Sequence, residues 1–100
     1  WRHEQKMDLL TKQQQALYDA FYESTHENTH LDEKTEILVG LSAAVAMNCN
    51  PCTSYYLRLA KQRSIAKGEI SETLAKVMAV AAGQKRLQFQ EVLDEYDIDF

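Results

Sequence analysis

An all-α fold, one compact domain of about five helices, is what this 100-residue chain predicts. Three observations point there. Apolar residues recur at spacings of three, four and seven rather than two. The whole chain holds one Pro and three Gly, so few residues end helices or make tight turns. No alternating strand pattern, low-complexity stretch or internal repeat occurs. One hundred residues are one domain's worth of chain, so residues 1–100 are read as a single helical domain. A chain of that size buries about 60–70% of the surface its unfolded form exposes, enough for one core with little margin.

The first helix is read over residues 2–24. Leu10, Leu17 and Phe21, with Leu9, Ala16 and Ala20, form its apolar stripe, while Gln13, Gln14 and Gln15 face mainly water. The polar, patternless residues 24–30 make the first connection. A second helix is read over residues 32–47. Asp32 suits its N-cap, and Glu33 meets the positive end of the helix dipole. Ile37, Leu38, Val39, Leu41, Val45 and Met47 cover nearly its whole circumference, and Gly40, Ser42, Ala43, Ala44 and Ala46 let neighbours approach. A helix apolar all round must be buried on every side. One hundred residues hardly surround it, so part of it is expected to meet another subunit.

Asn50 is a favoured N-cap and Pro51 suits a first helical position. A third helix is therefore read from Pro51 through Tyr55, Leu57, Leu59 and Ala60 to about Arg63. Gly68 offers one place for it to stop. The preferred reading puts the turn at residues 64–66, with Lys67, Gly68 and Glu69 opening a fourth helix. That helix holds Ile70, Leu74, Val77, Met78, Ala81 and Ala82, and Gly83 is expected to kink or break it. A fifth helix, with Leu87, Phe89, Val92, Leu93 and Tyr96, runs to an acidic tail of Asp94, Glu95, Asp97 and Asp99.

The net charge is −4, and an acidic chain repels nucleic acid and anionic lipid surfaces, so neither is expected as a partner. The first residues, Trp1 to Lys6, are polar and charged with no apolar stretch behind them, which predicts no secretory segment. The longest apolar run, residues 37–47, is interrupted by Ser42 and too short to span a bilayer. The expectation is a soluble, cytoplasmic protein. Nothing resembles a phosphate-binding glycine loop, and no cofactor is expected.

The chain has two cysteines, Cys49 and Cys52, with two residues between them. A structural disulfide across so short a loop removes little chain entropy from the unfolded state. Close spacing reads better as redox or metal chemistry. Cys52 falls in the first turn of the third helix, where unpaired N–H groups and the dipole stabilise a thiolate. CxxC thiols so placed drop from about 8.5 to roughly 3.5–7.5 in pKa. The spacer keeps the sulfurs close enough to close and reopen a disulfide, as peroxide and disulfide chemistry require. CxxC is also half of a zinc site, but two further ligands are needed and no second CxxC exists. His26 and His30, spaced i, i+4, lie some 20 residues upstream. A pair of small buried hydrophobes is the third reading.

The stretch LDEKTEILVGLSAAVAMNCNPCTSYYL, residues 31–57, resembles the core of the carboxymuconolactone decarboxylase superfamily, in particular its alkylhydroperoxidase D-like branch. An LDEKT-like helix start, an Ala-rich helix and a CxxC opening the next helix carry the resemblance. The helix at residues 70–83 is similar too. The resemblance implies an all-helical subunit that assembles into trimers or hexamers. It also implies a dithiol that reduces peroxide, or passes electrons to a partner, and is restored by an external dithiol. The peroxidase members place a His four residues after the second Cys and a Glu about a dozen before the first, together a proton relay. Here Tyr56 stands at the first position and Ile37 at the second. Glu36 is one residue away, about 100° round the helix. Tyr56, one turn beyond Cys52, can donate a hydrogen bond to a thiolate but is a poor base at neutral pH.

Cys49, Cys52, Tyr56 and Glu36 are therefore the candidate catalytic residues, for a thiol–disulfide oxidoreductase with antioxidant, peroxiredoxin-type peroxidase activity. A non-catalytic oligomeric module that kept the fold and lost the relay is the competing reading, favoured by Tyr56 and Ile37. Decarboxylation of a lactone acid ranks last, since no basic cluster awaits a dicarboxylate. His3, His26 and His30 are read as solvated. Tyr18, Phe21 and Tyr22 are read as core or interface, and Glu27, Asp32, Glu33 and Glu36 as a solvated face with a helix cap.

Overall fold

The structure is a computed structural model and describes residues 9–100. It contains four helices, not five: α1 (Lys12–Ser24), α2 (Glu33–Ala46), α3 (Asn50–Gln62) and α4 (Lys67–Glu95). The all-helical class stands, with no strand among the described residues.

Each end has a local cause. α1 begins at Lys12 because Thr11 and Gln14 close a capping box: the Gln14 N–H donates to Thr11 Oγ1 at 3.2 Å and the Thr11 N–H to Gln14 Oε1 at 3.1 Å. The expected helix over residues 2–24 is thus shortened. Leu9 and Leu10 precede it, and residues 2–8 lie outside the described residues. α2 opens as expected on Asp32, whose carboxylate accepts from the Thr35 N–H at 2.7 Å. That bond holds the Asp32 carboxyl below the ordinary aspartate range.

α2 ends with Asn48 in the left-handed region, φ 59°. The Cys49 N–H then reaches back to the Ala44 carbonyl at 2.9 Å, and the Asn48 N–H to the Val45 carbonyl at 3.1 Å. This pairing satisfies carbonyls that a helix end leaves open, and Asn tolerates the backbone it needs. Ser64, φ 59°, ends α3 the same way, with the Ile65 N–H on the Ala60 carbonyl at 3.0 Å. The turn at residues 64–66 falls where the sequence put it. Gly83, by contrast, does not break α4, which runs 29 residues. A helical glycine costs about 1 kcal/mol but keeps its N–H donor, unlike proline, so the ladder continues.

α2 is the centre of the subunit and packs against both α3 and α4. Its Ile37, Leu41 and Ala44, with Ala60 of α3, are the buried hydrophobic residues. Arg63 Nε bonds Glu33 Oε2 at 3.1 Å, and Lys34 Nζ meets Glu69 Oε2 at 3.2 Å, fastening the start of α2 to the end of α3 and the start of α4. α2 and α3 thus lie antiparallel, with the tight turn at Asn48 and Cys49 between them. Elsewhere the chain is open. The expected α1 stripe covers no core of its own subunit, since Leu17 is 64% exposed and Phe21 68%. On α4, Leu87 and Phe89 are exposed too, as is Tyr96 at its C-cap. The Cα radius of gyration is 18.1 Å, where a compact domain of this length has about 13 Å. The described residues build the core on α2, and the apolar flanks of α1 and α4 are left uncovered on one subunit.

Candidate active site

The turn that ends α2 delivers Cys49 straight into the N-cap of α3. Cys49 has extended backbone, φ −95° and ψ 97°, and its Sγ accepts the Cys52 N–H at 3.3 Å. Asn50 and Pro51 are therefore the first two helical residues, one step earlier than the sequence reading, which put the cap on Asn50. Proline has no N–H to lose, so it fits the first turn at either place, where N–H groups lack helical partners anyway. The shift matters chemically. The sulfur of Cys49 occupies the slot that a Ser or Asp oxygen fills in other helices, and a helix-start N–H points at it. That N–H and the dipole favour negative charge on sulfur.

Cys49 and Cys52 are joined as a disulfide, with their Cα atoms 5.2 Å apart. Both residues are partly buried rather than sealed in the core. The Thr53 hydroxyl donates to the Cys49 carbonyl at 2.8 Å, which further fixes the first turn.

Tyr56 lies one helical turn beyond Cys52, and its ring rests on Gly40 of α2, where an added Cβ would run into it. It meets the Tyr55 ring edge-on at 5.0 Å. Burial first, then the charge of Glu36, pushes the Tyr56 hydroxyl above its ordinary range, so it keeps its proton. A phenol shifted in that direction forms its basic phenolate less readily still, so the Tyr56 hydroxyl is protonated at neutral pH.

Glu36 is one turn before Gly40 on α2, on the side of α2 that meets this part of α3. Ile37, the next residue, is fully buried in the core. The Glu36 side chain is 17% exposed and its Oε1 lies 3.5 Å from His26 Nδ1. His26 departs from the solvated placement the sequence suggests: its side chain is 25% exposed, and its ring meets Tyr22 edge-on at 4.8 Å. The placement follows from the turn after α1. The His26 N–H bonds the Glu23 carbonyl at 3.1 Å, carrying the turn two residues past Ser24. Tyr22 and His26 then share a face at i, i+4 spacing. That spacing was in the sequence and was the signal that could have found the pair. His26, Glu36, Tyr55, Leu59 and Arg63 line a cleft of about 350 Å³ between α2, α3 and the first connection.

His30 is exposed, and His3 lies outside the described residues. Among the described residues no group of three or more His, Cys, Asp or Glu side chains gathers that could hold a metal ion. No helix among them is long and apolar enough to cross a membrane.

Fold and site define an all-helical protein with a cysteine pair at a helix start. The chain belongs to the carboxymuconolactone decarboxylase family, whose model matches residues 13–95. A crystal structure of a protein from Methanobacterium thermoautotrophicum, a structural-genomics target, superposes with a TM-score of 0.73 and 22% identity. The match covers 80% of this chain and 90% of that one, and at this identity it shows a shared fold alone. Comparison with curated proteins finds no match.

Proposed function

We propose that this chain is a thiol–disulfide oxidoreductase with alkylhydroperoxidase-like peroxidase activity, worked by Cys49 and Cys52. The observation that carries it is the cysteine pair at the start of α3, with the Cys52 N–H aimed at Cys49 Sγ. In the reduced protein one thiolate attacks the peroxide oxygen, the O–O bond breaks, and sulfur becomes sulfenic acid while an alcohol leaves. The second thiol displaces water from that sulfur and closes the disulfide. An external dithiol reduces it again by exchange. In this reading Tyr56 acts as proton donor, its hydroxyl kept protonated by burial first and then by the charge of Glu36. A substrate disulfide would enter by the same attack. A dithiol that must be re-reduced suits a reducing, cytoplasmic compartment.

The uncovered apolar flanks support assembly into a homo-oligomer, a trimer or hexamer as the family resemblance implies. Leu17, Phe21, Met78, Leu87 and Phe89 are each at least 64% exposed on one subunit.

Replacing Cys49 or Cys52 with Ser tests the mechanism. Each single variant loses peroxide turnover. Turnover retained in both rejects the dithiol. Ile37 in the core and Tyr56 in place of His favour the second reading, a non-catalytic module. Thiol alkylation against pH separates the two: a depressed apparent pKa with reversible disulfide closure supports the enzyme, and a value near free cysteine supports the module.

A further inference from the structure

We propose that two copies of this chain exchange their first helices, α1 of each lying in the groove between α2 and α4 of the other. This rests on the assembly named in the reading above and not on the dithiol chemistry. Among the described residues α1 packs against no other helix of its own chain and has no buried residue. A capping box opens it, but 13 residues are about the length at which a helix without tertiary packing is marginal in water. Leu17 and Phe21, one turn apart on one face, are 64% and 68% exposed. A surface outside its own subunit is needed to hold this helix.

The chain itself carries a groove of matching chemistry. Ser42, Ala43 and Ala46 of α2, with Val77, Val80 and Ala81 of α4, line a mainly apolar groove of about 670 Å³. The small side chains of its α2 wall leave room for a Leu and a Phe. Lys76 also lines it, and α1 carries one cation, Lys12, against two anions, Asp19 and Glu23, so charge favours the approach. The subunit's own α1 does not reach this groove. His26, two residues past α1, lies 3.5 Å from Glu36, at the cleft that α2 shares with α3. Ser42 and Ala46 lie about 140° and 180° round α2 from Ile37, which lines that cleft.

Area selects a mutual exchange. A helix of 13 residues is about 20 Å long and about 10–12 Å across. Laying one side of it in a groove covers about 400 Å² of helix and a like area of groove, about 800 Å² in all. That is below the roughly 1,200 Å² from which specific, stable interfaces begin. When each copy both gives and receives a helix, the contact occurs twice about a two-fold axis and covers about 1,600 Å², the standard size. Of the trimer and hexamer expected above, a hexamer of three such pairs accommodates the exchange and a trimer does not.

The test weighs the full chain by sedimentation velocity and native mass spectrometry at tens of micromolar. Phe21→Glu puts a charge in the stripe. Ala46→Arg puts one in the groove, at the C-terminal end of α2, where a cation suits the dipole. A central interface residue is worth about thirtyfold or more in Kd. The exchange uses each residue twice, so each variant alone loosens the pair about a thousandfold and runs at a smaller mass than wild type. An equal mixture of the two variants recovers a mixed pair. In it one contact is wild type on both sides, and the other sets Glu against Arg. That recovery also shows that both chains are folded. A mixture that stays at the smaller mass overturns the proposal, as do variants that keep the wild-type mass and a wild type that is a trimer. Wild type that sediments as a monomer defeats the assembly reading itself, and the exchange with it.

Discussion

Replacing Gly40 with Ala sets two effects of known size against each other. In a helix interior the change gains about 0.8–1.0 kcal/mol from reduced backbone freedom in the unfolded chain. In this structure the new Cβ would run into the Tyr56 ring. Forcing a methyl into a packed contact costs about 1–3 kcal/mol. Tyr56 is only partly buried and can swing toward solvent, so a value near 2 kcal/mol is the reasonable one. The net effect of Gly40→Ala is then a loss of about 1 kcal/mol. In a Tyr56→Ala background the obstructing ring is gone, and the same change gains about 1 kcal/mol. The coupling between the two sites is therefore about 2 kcal/mol, well above the few tenths seen between independent positions. Urea unfolding of the four proteins at one fixed concentration measures it, with midpoints compared at constant m. The displaced ring also slows peroxide oxidation in Gly40→Ala. If Gly40→Ala stabilises both backgrounds alike, the Gly40–Tyr56 contact is wrong, and the placement of Tyr56 falls with it.

Two further outcomes are expected. The Asp32 carboxyl has a lowered pKa in the folded chain because it accepts the Thr35 N–H, so its contribution is present above the ordinary aspartate value of about 4 and is lost as pH falls through the folded value. Thermal unfolding should accordingly show Asp32→Ala less stable than wild type at pH 6, with the gap closing below about pH 4; a gap that widens on acidification contradicts the cap. Phe89 is 74% exposed on one subunit, so Phe89→Glu would be nearly neutral in a monomer. In an assembly that covers α4 it lowers the sedimentation coefficient at fixed concentration and the melting temperature, whereas wild-type protein sedimenting as a monomer at tens of micromolar removes the case for assembly.

Short-range chemistry made much of the molecule legible before any coordinates. Asp32 as a cap, the helix start near Cys49 and the turn at residues 64–66 each depend on atoms within about five residues. The errors were of the same range and arose from competing local signals. The first helix was carried through a Thr11-to-Gln14 capping box because its apolar period continued past it. The Asn50-Pro51 pair drew the α3 cap one residue too late, since Asn is a stronger cap on average than Cys. Gly83 reads as a kink or a break in the sequence, though a lone glycine between good helix formers only weakens a helix and does not end it. The acidic side chains of α2 looked alike in sequence, and Glu36 was singled out there through the resemblance.

What the sequence alone determined is the helical class, the family likeness and the cysteine pair, because periodicity and spacing are properties of the chain itself. Tertiary structure decided the rest. It buried Ile37, rested Tyr56 on Gly40, turned Glu36 toward His26 and left the flanks of α1 and α4 bare. Each of these depends on which face of one helix meets which face of another. That choice is made by packing between residues far apart in the chain, and a helical period fixes only that a face exists.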